Sequence, residues 1–304
     1  MRVTRPEDLD RYDCLYVAPE TPHALLSCAA RIAAEIGRGR KVLVASLFGP
    51  SQEGVRPSAA ALGRIGVDVY EAGLPGARER SVLYHSCVGR AFSRDPGDDA
   101  CLERAAGLLN EVGRKTRARH VLIPLAVGGH IDHRLAHEAA VRCFDAQAER
   151  DVLLYEDRPA AFVPGAVRIR LAQLGARLPP AARAATRSGL LRFLFRLHTA
   201  PDMQLGGLAE RFRFTTLAFR EWSAAAGWDP RRALGLRMQP VLQEGEGGAA
   251  SLRELLGDDV RFDRYERRAA QYGKHLGGGA SAERYWLRLP SRDEGALATL
   301  PSSA

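Results

Sequence analysis

The sequence predicts an α/β fold in which a parallel sheet is covered by helices on both faces. Near-continuous apolar runs occupy residues 13–19 and 41–48, as is typical of strands buried on both faces. Between them, residues 25–38 carry apolar side chains at helical spacing, and Gly37 and Gly39 end that segment. A strand, a helix and a second strand make a βαβ unit, which is the building block of parallel sheets.

The same alternation of strands and helices continues to about residue 165. The remaining elements in that part of the chain are predicted strands at 66–70, 119–124 and 151–155 and predicted helices at 59–65, 101–116 and 134–147. Residues 49–60 are predicted to be a loop, because they are rich in Pro, Ser and Gly. This order of elements predicts a Rossmann-like parallel sheet with helices on both faces.

The pattern changes in the last part of the chain. Residues 166–199 are rich in Arg and Leu and are predicted to be helical, and 284–289 is predicted to be a late strand or a packing tail. We therefore expect an α/β domain at 1–165 and a helical or irregular C-terminal extension at 166–304, packed on the same domain.

Composition and charge exclude several classes of protein. Of the 304 residues, 46% are hydrophobic and 26% are charged, a balance typical of globular proteins. The chain has no apolar run of the ~18–20 residues that span a bilayer, and its polar N-terminus lacks the apolar core of a signal peptide. We therefore expect a cytoplasmic protein. The net charge of +8 comes from arginines spread along the chain, so we expect no nucleic-acid partner.

The most informative segment is a histidine-rich turn that follows the strand predicted at 119–124. His130, His133 and His137 lie within eight residues of chain, with Asp132 between the first two. Open α/β sheets bind ligands at the carboxyl ends of their strands, and neutral imidazole is the commonest metal ligand in proteins. The turn is therefore predicted to be part of a metal site or, alternatively, a hydrogen-bonded corner that holds no metal.

The segment Gly128-Gly-His-Ile-Asp-His-Arg134 resembles the second motif of the PIG-L/LmbE-like family, which is related to N-acetylglucosaminyl-phosphatidylinositol de-N-acetylase. Pro19 and the helix after it occupy the place of the family's first motif. Tyr155-Glu-Asp-Arg-Pro159 resembles a family element after the next strand, and Ala282-Glu-Arg-Tyr-Trp286 resembles a C-terminal element of one branch. The resemblance implies a Rossmann-like fold and a zinc-dependent N-deacetylase or amide hydrolase.

The first motif departs from the family pattern. Family members carry His-Pro-Asp-Asp just after the first strand, where the first His and the last Asp bind zinc and the middle Asp is the general base. The aligned residues here are Glu20-Thr-Pro-His23. The resemblance thus implies that Glu20 and His23 are metal ligands, and it leaves Pro22, which cannot accept a proton, at the position of the base.

The second motif implies the other roles. His133 would be the third metal ligand, His130 would stabilise the oxyanion or protonate the leaving amine, and Asp132 would orient an imidazole from behind. His137, one helical turn beyond His133, either faces the site or is a partly exposed helix residue. Two imidazoles and one carboxylate suit zinc when one position stays open to water, and the same set occurs in non-haem iron sites. We therefore expect zinc, with iron as the alternative.

This resemblance predicts a metal-dependent N-acyl hydrolase that acts on a small molecule, either an acylated amino sugar or a related amide. The alternative is a relative that does not hydrolyse amides: a binding protein, or an enzyme whose metal site serves another reaction. The absent base favours the alternative, and the intact second motif favours the hydrolase. A nucleotide-binding module is disfavoured, because no Gly-x-Gly-x-x-Gly or phosphate-loop pattern follows a strand.

Several of these residues also have ordinary structural interpretations. Glu20 is placed to cap a helix N-terminus, where a carboxylate is favoured, and His23 would then lie on the surface of the first turn. Residues 155–157 either line the mouth of a pocket or form an acidic turn. Arg78 and Arg80 either bind an anionic group or are solvated. The residues expected to pack in the core are Cys28, Tyr285 and Trp286.

Overall fold

The structure, a computed structural model, describes much of the first 174 residues and three later segments. The described residues are 2–49, 62–85, 89–90, 93–144, 149–163, 166–174, 237–243, 259–278 and 282–289. One compact unit comprises Met1–Phe162 and Val241–Tyr285, and a second comprises Val163–Pro240 and Trp286–Ala304. Residues 241–285 of the expected C-terminal extension thus belong to the same unit as residues 1–162. The domain boundary expected at residue 165 stays a prediction.

The described strands form one sheet. They are β1 Arg2–Val3, β2 Cys14–Ala18, β3 Val42–Phe48, β4 Asp68–Leu74, β5 His120–Pro124, β6 Asp151–Tyr155, β7 Arg237–Gln243 and β8 Glu283–Leu289. Their order is β1-β4-β3-β2-β5-β6-β8-β7, and each neighbouring pair from β1 to β6 is parallel. Strand β2 is wholly buried, with Tyr16 opposite Val44 of β3 on one side and Leu122 of β5 on the other. The parallel α/β fold expected from the sequence is therefore confirmed.

The helices of the described residues are α1 Thr21–Gly37, α2 Ala77–Arg80, α3 Gly97–Thr116, α4 Ile131–Phe144, α5 Ala166–Gln173 and α6 Asp259–Leu276. Helix α1 starts directly after Glu20 and has Pro22 in its first turn, where the missing N–H leaves no hydrogen bond unmade. It is kinked at Cys28, whose φ of −133° and ψ of 22° are not helical. None of the described helices is long and apolar enough to cross a membrane.

The observed elements differ from the expected ones mainly at their ends. Helix α4 begins at Ile131, three residues before the predicted start at 134, because Asp132 and His133 form its first turn. Helix α6 and strand β7 were not predicted. Of the helical region predicted at 166–199, the structure describes α5, and of the loop predicted at 49–60 only the first residue lies within the described part of the chain.

The central sheet is packed tightly around β2 and α1. Cys28 and Tyr285 are fully buried in the same cluster as Tyr16 and Leu25, and Trp286 is only 2% exposed. The prediction that Cys28, Tyr285 and Trp286 pack in the interior is confirmed.

Candidate functional site

The candidate site lies where the strand order reverses. The chain passes from β2 through α1 to β3 on one side, whereas β5 pairs with β2 on the other side. Glu20 and His23 follow the carboxyl end of β2, and His130 and His133 follow the carboxyl end of β5. The gap between the carboxyl ends of two such strands is the ligand-binding crevice of open α/β sheets. Parallel pairing of β2 with β5 thus places both motifs at one crevice.

Left-handed backbone conformations shape the turn between β5 and α4. Ala126, Gly128 and Gly129 have φ values of 62°, 87° and 72°. At Gly128 a Cβ atom would also come within 3.0 Å of the Ala160 Cβ, so both the backbone conformation and the space require glycine. The tight turn lets α4 begin at Ile131 and directs its first turn toward β2.

Three imidazoles meet in the crevice. The ring centroids of His23 and His133 are 4.4 Å apart, with the planes nearly perpendicular at 87°. The rings of His130 and His133 are 5.6 Å apart. His133 is buried, and the side chain of His130 is 34% exposed. The residues that the sequence places 110 positions apart are thus brought into ring contact, with His130 at the more open side.

Asp157 holds His133 from behind. Its Oδ1 lies 2.7 Å from Nδ1 of His133, and its Oδ2 accepts a hydrogen bond of 2.9 Å from the Val127 backbone N–H. A carboxylate next to Nδ1 fixes the proton there and leaves the lone pair on Nε2 of His133 for a metal or a proton. From the sequence, Asp157 was expected either at the mouth of a pocket or in an acidic turn. Its position just after β6, the strand beside β5, was the signal that pointed to the site.

The carboxylate of Asp132 pairs mainly with Arg80 and not with the imidazole that the resemblance implies. Its carboxylate accepts hydrogen bonds from Arg80 at 2.7 Å and from the Ala77 backbone N–H at 3.1 Å, and it lies 3.9 Å from Nδ1 of His130. Burial raises the pKa of Asp132, and the charge of Arg80 opposes that rise. Arg80 also donates to Asp98 at 3.0 Å. The interpretation of Arg80 as a solvated side chain is therefore wrong, whereas Arg78 is exposed.

The backbone fixes the tautomer of His130. The N–H of Asp132 donates to Nδ1 of His130 over 3.2 Å, so Nδ1 carries a lone pair and the proton sits on Nε2. Burial, together with the charges of His133 and nearby arginines, lowers the pKa of His130 to about 3. His130 is therefore neutral at pH 7 and presents an N–H donor, which suits the stabilisation of a developing oxyanion.

Glu20 and His137 have clear local positions. Glu20 is the N-cap residue of α1 and is half-buried, yet its side chain forms no capping hydrogen bond with the described first turn of that helix. Glu20 therefore occupies the expected position at the helix N-terminus, but without a side-chain capping hydrogen bond. His137 is buried, and its Nδ1 hydrogen-bonds the Pro124 carbonyl oxygen at 2.7 Å. His137 thus ties α4 to β5 and is not an exposed helix residue.

The imidazoles fit a metal in their chemistry, but the described residues do not complete its ligand set. Nδ1 of His23 is buried and has no hydrogen-bond partner within the described part of the chain, as expected of a nitrogen that awaits a ligand. Burial and the neighbouring His133 lower the pKa of His23 to about 3, so it is neutral at pH 7. Among the described residues, no three His, Cys, Asp or Glu side chains are grouped to hold a metal ion. The structure thus brings the His23 and His133 rings together without a complete set of ligands among the described residues.

We expect the metal-free protein to lose stability as the pH falls below about 6.5. In the folded state burial holds the pKa of His23 at about 3, against 6.5 for the free side chain. Between these values only the unfolded state binds the proton, so acidification from about pH 6.5 to about pH 5 costs about 2 kcal/mol. Urea denaturation at both pH values measures the effect, and His23→Gln should lack this part of it. An equal acid loss in both proteins would contradict the assignment.

Comparison with known proteins supports the fold. No protein-family model matches the sequence, and no curated protein matches it significantly. Among solved structures, the zinc-inhibited form of teicoplanin deacetylase has 17% identity and a TM-score of 0.54, covering 92% of this chain and 99% of that one. A complex of that deacetylase with teicoplanin has 16% identity and a TM-score of 0.54, covering 92% of this chain and 99% of that one. The deacetylase of the A40926 pseudoaglycone has 14% identity and a TM-score of 0.50, covering 92% of this chain and 98% of that one.

These likenesses establish the fold. The described residues have the α/β fold of these deacetylases, so the resemblance to PIG-L/LmbE-like deacetylases seen in the sequence is confirmed at the level of the fold.

Proposed function

We propose that the protein is an amide hydrolase of the deacetylase type, acting on the N-acyl group of an amino sugar or a related amide. The observation that carries the proposal is the group of three imidazoles at the switch point, with His133 oriented by the buried carboxylate of Asp157. A carboxylate–histidine pair aimed at an open position is the arrangement typical of a metal ligand. The deacetylases of the same fold support the reaction class.

Each residue has a defined part in this proposal. His133, through Nε2, and His23 would hold a zinc ion, and Glu20 would complete the set. Bound zinc lowers the pKa of a water ligand to about 7 and polarises a carbonyl group. His130 donates its Nε2 proton in a hydrogen bond to the oxygen of the substrate carbonyl as negative charge develops there. Asp132 keeps the backbone N–H beside His130 in place, because Arg80 and Ala77 anchor its carboxylate.

The missing base sets an upper limit on the rate. General-base assistance raises the reaction rate by about 10²–10⁴-fold. Pro22 stands at the position that the general base occupies in the family. We therefore expect hydrolysis slower than that of a deacetylase with an aspartate there. The same residue favours a second candidate function, a binding protein without hydrolysis. The incomplete ligand set among the described residues favours it too.

Metal analysis tests the proposal. We expect about one equivalent of zinc in the wild-type protein. His133→Ala should lose it, because the pair of imidazoles is broken, and Glu20→Gln should bind it more weakly. His85→Ala is the matched control, because His85 is an exposed histidine near the end of a short helix outside the site. Release of acetate from an N-acetylated amino sugar, measured on the same four proteins, should follow the zinc content.

The opposite result is equally informative. If the wild-type protein binds no zinc or iron even after soaking and releases no acetate, the hydrolase proposal is wrong. The non-hydrolytic candidate then stands. Zinc that is retained in His133→Ala would show that the metal binds elsewhere.

A further inference from the structure

Two short segments, one on either side of Asp157 in the chain and one at the start of β8, are paired with each other. Residues 156–158, Glu-Asp-Arg, follow β6, and residues 282–284, Ala-Glu-Arg, open β8. Glu156, Arg158 and Glu283 are 2%, 4% and 2% exposed. Burial of charged side chains is costly unless they are paired, so these contacts must be well made. The pairing joins a C-terminal strand to the turn that carries Asp157.

Arg284 holds the turn through Glu156. Its Nε donates to Oε1 of Glu156 over 2.6 Å, and its Nη2 donates to the Tyr272 hydroxyl over 3.1 Å. That hydroxyl in turn donates to Oε2 of Glu156. Both carboxylate oxygens of Glu156 are thus fixed by one strand and one helix, directly beside Asp157 in the chain.

Glu283 holds the helix that carries His23. Its two carboxylate oxygens accept the backbone N–H groups of Ala30 and Arg31 at 2.9 and 3.1 Å. These N–H groups open the second half of α1, just after the kink at Cys28, where a helix start lacks backbone acceptors. A carboxylate there acts as an N-cap supplied from another element. Glu283 therefore fixes α1 just after the kink that joins its second half to the first half, which carries His23.

Arg158 closes the arrangement. Its backbone N–H donates to the Ser27 hydroxyl of α1 at 3.0 Å, and its guanidinium donates to the Ala282 carbonyl oxygen at the start of β8. The residue after Asp157 is thus bound both to the helix of His23 and to the strand of Glu283. The guanidinium also lies over the rings of Phe162 and Tyr272, at 5.4 and 5.8 Å from their centroids.

We propose that the neighbouring residues Glu283 and Arg284 are positioning residues that together set the separation of the His23 and His133 rings. Glu283 fixes the helix that bears His23. Arg284 fixes, through Glu156, the turn whose Asp157 orients His133. Successive side chains of a strand point to opposite faces, so one short strand can reach both elements. The effect on catalysis rests on the proposed function, whereas the effect on imidazole geometry does not.

The test compares Arg284→Gln, Glu283→Gln and the milder Tyr272→Phe with the control Arg142→Gln. Arg142 forms an exposed ion pair with Glu103 at 2.5 Å, which joins α3 to α4 away from this network. Nitrogen-15 NMR of the imidazoles reports the His133 tautomer and the Nδ1 proton shared with Asp157. Zinc titration and kcat on an N-acetylated amino sugar complete the set, and circular dichroism shows which variants fold.

Loss of an outer partner of a ligand costs about 10–100-fold in metal affinity or activity. We expect a loss of about tenfold in zinc affinity and in kcat for Arg284→Gln and Glu283→Gln, with shifted His133 signals. Tyr272→Phe should shift the signals in the same direction by less, and Arg142→Gln should leave them unchanged. If Arg284→Gln does not fold, Tyr272→Phe decides the role of Arg284. If Glu283→Gln does not fold, Tyr285→Phe, which removes a hydrogen bond of 2.7 Å to Glu283, decides the role of Glu283.

Folded variants whose imidazole signals are all identical to those of the wild type would overturn the positioning role. If the wild-type protein binds no zinc and hydrolyses nothing, the proposed function fails. The imidazole signals still decide the positioning role in that case, so the two failures are distinguishable.

Discussion

Asp157→Asn is expected to reduce zinc affinity and kcat by about 10–100-fold, the usual cost of losing a carboxylate behind a metal-binding imidazole. Asp157 accepts the Val127 N–H with one oxygen and pairs with Nδ1 of His133 through the other. An asparagine that keeps the contact to Val127 through its oxygen turns its NH₂ group toward His133. Nδ1 must then accept a hydrogen bond, so the proton moves to Nε2 and blocks the atom proposed to bind the metal.

Asp151→Asn is the matched control for this prediction. Asp151 is the first residue of β6, the strand that Asp157 follows, and it lies 3.2 Å from Nδ1 of His120. Its side chain is 54% exposed and lies outside the crevice. We expect the zinc affinity and kcat of the Asp151→Asn protein to equal those of the wild type. Zinc titration, acetate release and nitrogen-15 NMR of His133 measure both variants. An unchanged His133 tautomer in Asp157→Asn would contradict the proposed role of the carboxylate.

Arg80→Met is expected to destabilise the protein by about 3–5 kcal/mol, the usual cost of removing one partner from a buried ion pair. Arg80 is 7% exposed and bridges Asp98 at 3.0 Å and Asp132 at 2.7 Å, which are themselves buried. Methionine fills part of the volume but leaves both carboxylates without their cation. We also expect the His130 side chain to be less well ordered, because its Nδ1 is held by the backbone N–H of Asp132, the residue that Arg80 anchors.

Arg94→Met is the control, because Arg94 also bridges two carboxylates but does so at the surface. Its side chain is 38% exposed and contacts Asp99 at 2.8 Å and Glu138 at 2.9 Å. Exposed ion pairs contribute about 0–1 kcal/mol, so we expect a change within that range. Urea denaturation gives the free energy of unfolding of both variants. Equal losses of unfolding free energy in Arg80→Met and Arg94→Met would show that the buried ion pairs of Arg80 stabilise the protein no more than exposed ones do.

Local chain patterns were sufficient to predict the parallel sheet. Residues 13–19 and 151–155 are apolar runs of strand length, and they form β2 and β6. The histidine turn was also recognisable, because glycines, imidazoles and a carboxylate are close together in the chain. Period and composition act over a few residues, so elements of this kind can be inferred without knowing their neighbours.

The C-terminal contributions could not be predicted in the same way. Helix α6 has few apolar residues, and the role of its Tyr272 becomes visible only beside Glu156, more than one hundred positions earlier in the chain. The pairing of Arg284 with Glu156 is equally remote. A charged residue in a sequence carries no sign of whether it will be buried, because burial depends on which distant segment covers it.

The sequence by itself determined the fold class and the histidine turn that follows a buried strand, since these depend on periodicity and on motifs within a few residues. The tertiary structure alone decided which carboxylate serves which group: Asp157 pairs with His133, and Asp132 pairs with Arg80. It also brought together no complete set of metal ligands among the described residues. The reason is physical: spacing along a chain fixes local direction, whereas distances across neighbouring strands are fixed only when the sheet and its covering elements pack.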